Sequence, residues 1–566
     1  MKIADLAANP PPEYRPVPFW SWNDRLENKE LSRQIKAMYE AGIGGFFMHA
    51  RGGLLTEYLG EEWFSATKNC IHDAERLGMK AWAYDENGWP SGFGNGLVNA
   101  LGVKYQQKYL RCEKSSGGAF REYANLIALY SPEGKRISEE FAASLPEVLL
   151  CRYDVNPYYV DTLDLAVTEE FLKSVHQKYY DTLDNAERAA MSGFFTDEPQ
   201  ISRNGIPWSF VLENEYRKAY GEELLDVLPQ LLLDLEGCER TRYRFWRLVT
   251  RLFMNHFLKP IHEWCSAHGW KLTGHQVCED NYLSQLTSNG AVMPQYQYYH
   301  IPGMDALGRN FTSLATPLQL ASAAAQCGQR QILSETFALC GWGVSFADLK
   351  WLCQWQMVHG INLICQHLEG YSLRGIRKRD YPASLFLHQP WWKYYRMFND
   401  AVSRIGVLLA NGSIQTEVLL LHAITTAHIL YNTRTSEKIM RYSHAFESLS
   451  QLLADLHIDH HYGDETLMEQ YGSTDGAVLK IGTQSYKLVI LPKLLNLSSK
   501  QLELLEKFAS AGGVILAERN DEDSGFFVDG IRTDNLPLLD QIEFFDSPEA
   551  LADRALAQTG TLSVVR

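Results

Sequence analysis

The chain has 566 residues, 46% hydrophobic and 12% aromatic, with a formal net charge of −15. That length asks for more than one domain, and the composition is that of a well-buried globular protein, not a disordered one. The acidity, with no Lys/Arg run, argues against a nucleic-acid or anionic-membrane partner.

From residue 16 short apolar runs alternate with amphipathic helices, the pattern of a parallel α/β structure. Pro18-Phe19-Trp20-Ser21-Trp22 is the first predicted strand. A helix over about 28–41 follows, with Leu31, Ile35 and Met38 on one face and Gly42 as its stop. Gly45-Phe46-Phe47-Met48-His49 is the second strand, followed by a helix over 61–77. Lys80-Ala81-Trp82-Ala83-Tyr84 is the third, and it runs into Asp85-Glu86-Asn87-Gly88-Trp89-Pro90. Residues 104 to about 160 break the rhythm. Gly117-Gly118 and the turn Ser131-Pro132-Glu133-Gly134 mark an inserted β-rich piece. A helix over 167–182 leads to the fourth strand, which ends in Phe195-Thr196-Asp197-Glu198-Pro199. Helices over 209–268 precede the fifth strand at 271–275. The sixth strand includes Gly303-Met304-Asp305, the seventh carries Glu335, and the eighth spans 360–367 after a helix at 347–358. Eight strands with one insertion predict a (β/α)8 TIM barrel over residues 1–400. The pattern then restarts, with strands at 417–421, 457–459, 487–492 and 514–517 and helices at 444–456 and 500–510. This predicts a flavodoxin-like, doubly wound α/β domain over 401–566, without the glycine-rich loop that would hold a nucleotide. The closing stretch Gly560–Arg566 reads as a strand cut short, as in a truncated chain.

The N-terminus lacks the apolar core of a signal peptide, and no run approaches the roughly 18 apolar residues of a membrane span. The ten cysteines, none in CxxC spacing, read as reduced and mostly buried thiols. A cytoplasmic protein is expected.

TIM barrels carry their chemistry at the C-terminal ends of the strands. Glu198 and Glu335 fall there, on the fourth and seventh strands, facing one another across the barrel. Breaking a glycosidic bond needs one carboxyl group to donate a proton and another to act as nucleophile or base. Desolvation and mutual repulsion would raise one pKa and leave the other group ionised. Trp22, His49, Asp85, Glu86, Trp89, Asp197, His275, Glu279, Trp342 and His367 fall at the same mouth. The acids and imidazoles suit sugar hydroxyls; Trp22, Trp89 and Trp342 suit the apolar face of a ring. Nothing in the sequence requires a cofactor. The clustered acids leave room for a calcium ion, but no EF-hand spacing names its ligands, and no HExxH spacing makes the histidines ligands.

Pro18-Phe19-Trp20-Ser21-Trp22-Asn23, Ala41-Gly42-Ile43-Gly44-Gly45-Phe46, Tyr84-Asp85-Glu86-Asn87-Gly88-Trp89-Pro90-Ser91-Gly92 and Phe195-Thr196-Asp197-Glu198-Pro199 resemble bacterial glycosyl hydrolases. These are relatives of the α-L-rhamnosidases of glycoside hydrolase family 106. Gly274-His275, Glu279-Asp280 and Ile301-Pro302-Gly303-Met304-Asp305 extend the resemblance, which covers about residues 10–400. The C-terminal part is similar to the flavodoxin-like domain that follows the barrel in family 42 β-galactosidases. The resemblance implies a glycosidase that removes a terminal sugar from a small oligosaccharide or glycoside, with Glu198 as acid/base and Glu335 as nucleophile. It also implies a homo-oligomer built through the C-terminal domain. Family 42 implies retention of configuration, and family 106 implies inversion with calcium in the site. An α-L-rhamnosidase is the first reading. A β-galactosidase-like retaining exo-glycosidase and a catalytically silent carbohydrate-binding protein are the alternatives.

Overall fold

The computed structural model describes residues 2–203, 205–311, 313–520, 525–534 and 536–559. Eight parallel strands form its first part: β1 Phe19–Trp22, β2 Gly45–Ala50, β3 Lys80–Asn87, β4 Met191–Asp197, β5 Lys271–His275, β6 Ile301–Ala306, β7 Leu333–Thr336 and β8 Leu363–Gln366. Each pairs with the next. The ring closes where Glu369–Gly370, just beyond β8, pairs with β1, placing Glu369 opposite Trp20. This is a TIM barrel, with strands matching the sequence expectation to within a few residues.

The two-residue period of each strand decides what lies inside. Phe19, Phe47, Trp82, Tyr84, Phe195 and Leu333 point inward and form the barrel's own core. Their neighbours Trp20, Phe46 and Phe194 point outward and bury against the surrounding helices. Burying each such ring contributes on the order of 2 kcal/mol. The helix Glu61–Leu77 ends at Gly78, whose φ of +70° is the left-handed position that glycine adopts without strain. The helix predicted over 167–182 forms as three pieces, Leu165–Phe171, a π turn at Leu172–His176, and Gln177–Thr182.

The predicted insertion is an antiparallel sheet of Gln106–Ser115, Leu126–Tyr130 and Val148–Val160, to which Pro207–Trp208 adds an edge. Cys112 and Cys151 are register partners in that sheet and form a disulfide, with Cα atoms 4.2 Å apart. This corrects the expectation that all ten cysteines are thiols; eight are free. Spacing along the chain could not reveal the pair, because the strand register brings together residues 39 apart.

The second part is a five-stranded, all-parallel sheet of β9 Val418–Leu421, β10 His461–Gly463, β11 Leu488–Leu491, β12 Val514–Glu518 and β13 Glu543–Phe545. Its order is β10-β9-β11-β12-β13, one of the doubly wound orders. The strand expected at 457–459 lies instead at His461–Gly463: the helix Ser436–Asp455 is followed by His457 at φ +59°, which turns the chain before the strand begins. The C-terminal end of β9 sits against the barrel. The Ala423 amide donates to the Tyr282 hydroxyl at 3.1 Å, the Tyr282 amide to the Ser443 hydroxyl at 3.1 Å, and His428 Nε2 lies 3.0 Å from the Gly290 carbonyl. Gly560–Arg566 lie outside the described residues. Among those described, no helix is long and apolar enough to cross a membrane.

Candidate active site

β4 delivers two acids to the barrel mouth. Asp197 ends the strand with its side chain turned inward, where the Tyr84 hydroxyl donates to Oδ2 at 2.6 Å. Glu198 follows at φ +48° and donates its amide to the His275 carbonyl at 3.2 Å. Such a backbone is uncommon outside glycine and asparagine. The loop after β3 holds it. The Trp89 indole donates to Glu198 Oε2 at 2.7 Å, and Ser91 exchanges hydrogen bonds with the Asp197 backbone, 2.8 Å from its hydroxyl oxygen to the Asp197 amide.

β5 and β7 bring the other half. His275 Nε2 lies 2.7 Å from Glu335 Oε2 and 3.6 Å from Asp197 Oδ1, while His367 Nε2 is 3.8 Å from Glu335 Oε1. Glu335 thus pairs with the His275 imidazole, and its charge acts on Glu198. Their protonation diverges. Burial, reinforced by the charge of Asp197, pushes Glu198 up to about 8. Burial would raise Glu335 too, but the hydrogen bond and charge of His275 outweigh it and hold Glu335 below its ordinary range. His275 is the mirror image: burial disfavours its cation, yet Glu335 and Asp197 raise its pKa well above the usual imidazole range. Asp197 lies at about 6, raised by burial and by Glu335. One carboxylic acid and one carboxylate at a common mouth is the acid-and-nucleophile division that glycoside cleavage uses.

The remaining predicted residues divide. His275 lies against both Glu335 and Asp197, which precedes Glu198 along the chain, and His367 lies beside Glu335. His49 is buried, stacked on Tyr84 at 3.7 Å between ring centroids, with neither ring nitrogen hydrogen-bonded. Trp89 and Trp342 are exposed. Trp89 is the one tied to the pair, through Glu198. Four expectations are corrected. Trp22 is completely buried on the helical side, 4.9 Å from the Trp63 ring, so it offers no platform to a ligand. It follows Ser21, and the alternation that turns Ser21 inward turns Trp22 out. Asp85 is buried and accepts from the Ser91 hydroxyl at 2.5 Å. Glu86 accepts the amides of Asn87, Gly92, Gly94 and Asn95, so it anchors the loop that presents Trp89. Glu279 is buried and accepts from the Tyr296 hydroxyl at 2.6 Å.

Sequence reasoning missed several residues at the mouth. Asp305 ends β6, in register with Glu335. Tyr84 was visible only as a strand residue. Asp380 forms a two-point ion pair with Arg51, a residue expected at the mouth after β2, at 2.8 and 3.0 Å, and the exposed Tyr381 ring stands 5.8 Å from that of His367. Asp305 could have been found as another strand-end acid. Asp380 and Tyr381 lie in a long aperiodic loop that gives no such signal.

Asp197, His275 and Glu335 each offer one ligand atom within 4.8 Å of the others. Calcium takes six to eight oxygens. One of these three donors is a nitrogen already hydrogen-bonded to the second, so the set does not fit calcium.

No protein-family model matches the sequence, and no curated protein matches it. Solved structures do share the fold. A rhamnosidase from Novosphingobium sp. PP1Y is 13% identical with a TM-score of 0.66, over 99% of this chain and 73% of that one. A β-galactosidase from the psychrophilic Marinomonas ef1 is 11% identical with a TM-score of 0.59, over 92% and 78%. A catalytic mutant of Gan42B, a GH42 β-galactosidase from G. stearothermophilus, is 12% identical with a TM-score of 0.56, over 91% and 73%. At such identities the likeness speaks for architecture, and function has to be argued from the site.

Proposed function

We propose that this protein is a glycoside hydrolase that removes a terminal sugar from a small oligosaccharide or glycoside. The observation that carries this reading is the pairing of Glu335 with His275 at 2.7 Å beside a second strand-end acid, Glu198, which accepts from the Trp89 indole; burial and Asp197 raise Glu198 while His275 holds Glu335 down. Glu198, protonated near neutrality, gives its proton to the glycosidic oxygen as the bond to the anomeric carbon breaks. Glu335, held ionised by His275, stands on the other side of the ring. It either bonds the anomeric carbon, to be displaced by water that Glu198 deprotonates, or takes a proton from an attacking water. Trp89, exposed beside the acid, is the platform for the leaving group.

An α-L-rhamnoside is our first substrate, supported by the motifs of the barrel and by the rhamnosidase that shares this architecture over nearly the whole chain. A β-galactoside is the second, supported by the galactosidases. We take the reaction to need no calcium, in view of the donor set. The Cys112–Cys151 bridge weighs against a reducing cytoplasm.

Turnover of a panel of p-nitrophenyl glycosides tests the proposal. Glu198→Gln and Glu335→Gln should each lower kcat by about a hundredfold or more, since each removes a proton-transfer or nucleophilic role. A loss below about tenfold in both, with the fold intact, refutes the assignment. Binding of sugars without turnover would favour a silent receptor, and NMR of the first-formed anomer would separate retention from inversion.

A further inference from the structure

Asp305 has no role in the chemistry described so far. It ends β6, between the strands that carry His275 and Glu335, and its register partner is Glu335 itself. Register partners on parallel strands present their side chains to the same face, so both carboxylates face the barrel mouth. Its backbone amide donates to Glu279 Oε2 at 3.3 Å, which fixes the strand end. The side chain is left unengaged. Oδ1 is inaccessible to solvent and has no hydrogen-bond partner. Burial, reinforced by the charges of Glu335 and Glu198, raises this carboxyl well above the ordinary aspartate range. It has company. His367 Nδ1 and both nitrogens of His49, on the far wall of the same mouth, are also buried without partners. Leaving one such group unmet costs on the order of 1–3 kcal/mol. Several around one opening mark a place where a ligand rich in hydroxyl groups completes the hydrogen bonding.

We propose that Asp305 is a specificity-determining residue that accepts hydrogen bonds from hydroxyl groups of the sugar whose anomeric carbon faces Glu335. The inference rests on the glycosidase reading and deepens it. The sugar recognised carries a free hydroxyl at the position facing β6 and no anionic group there, because a carboxylate or sulfate would meet the ionised Glu335 beside Asp305.

The test compares wild type with Asp305→Ala and Asp305→Asn on the p-nitrophenyl glycoside that wild type hydrolyses best, and on its monodeoxy analogues. Asp305→Ala should lower kcat/KM by about a hundredfold on the parent glycoside, and by less than about threefold on the one analogue lacking the partner hydroxyl. Its melting temperature should be unchanged or higher, since a carboxyl with an unpaired, inaccessible oxygen has been removed. A loss equal on the parent and every analogue, or activity within about threefold of wild type throughout, overturns the proposal. If wild type hydrolyses none of the glycosides, the glycosidase reading fails on its own. Calorimetric titration with rhamnose and galactose then decides for Asp305: affinity lost in Asp305→Ala supports it, and unchanged affinity overturns it.

Discussion

Replacing His275 should move the pH dependence of the reaction bodily upward. In the wild type the imidazolium lies 2.7 Å from Glu335 and 3.6 Å from Asp197, with all three side chains nearly inaccessible. Removing one partner of a buried ion pair costs about 3–5 kcal/mol, and each pKa unit corresponds to about 1.36 kcal/mol. The loss therefore amounts to between about 2.2 and 3.7 units, and water entering the open mouth favours the lower end, about 2 units. The sign follows from the roles. Glu335 must be ionised, so activity falls as pH drops through its pKa, which His275 holds below the ordinary 4.5. Without His275 that pKa rises, and the acid limb moves to higher pH. Glu198 must be protonated, so activity falls as pH climbs through its value of about 8. His275 also depresses Glu198, so the alkaline limb moves up as well. The assay is kcat/KM against pH for wild type, His275→Ala and His275→Gln on one p-nitrophenyl glycoside, with melting temperatures confirming folding. Acid limbs that coincide within about half a unit would refute the electrostatic link between His275 and Glu335.

Other outcomes follow from the same site. Trp22→Ala should lower stability by about 3–5 kcal/mol in urea unfolding and leave KM unchanged, because the ring is core; Trp89→Ala should do the reverse, raising KM with little change in stability. Glu86→Gln should lower kcat/KM at least tenfold while Glu198 stays in place. It weakens four amide contacts that hold the Trp89 loop, each worth about 1 kcal/mol, and faster amide hydrogen exchange at residues 87–95 should accompany it. EDTA should leave the rate unchanged; a loss restored by zinc or calcium would show that Asp197, His275 and Glu335 serve an ion instead.

The barrel was legible because short apolar runs recur along the chain with helical segments between most of them. Glu198 and Glu335 were legible as acids ending apolar strands. Burial was not. Trp22 and Glu86 stand at strand ends as convincingly as Glu335 does, and only the direction of each side chain separates platform from core and catalyst from anchor. That direction depends on register and on the bulge in the β2–β3 pairing, neither of which composition encodes. The disulfide shows the same limit. Asp305 was overlooked for a different reason: its strand, with Pro302 and Gly303, has too little apolar character to draw attention to the acid ending it.

Tyr282 begins the helix that follows the His275 loop, and its hydroxyl receives the Ala423 amide at the end of β9. In doubly wound sheets that end of the strands opens onto the ligand crevice. Here it is taken up by a neighbour from the same chain: Tyr282 stacks edge-on against His422, and Thr426 fastens the turn beyond β11 through the Leu495 amide. That end of the sheet thus serves as a bracket for the segment that follows the His275 imidazole. Severing the chain near residue 411 would strip the support from Tyr282, seven positions after that imidazole, so a barrel expressed alone should show an acid limb moved to higher pH before it loses its helices.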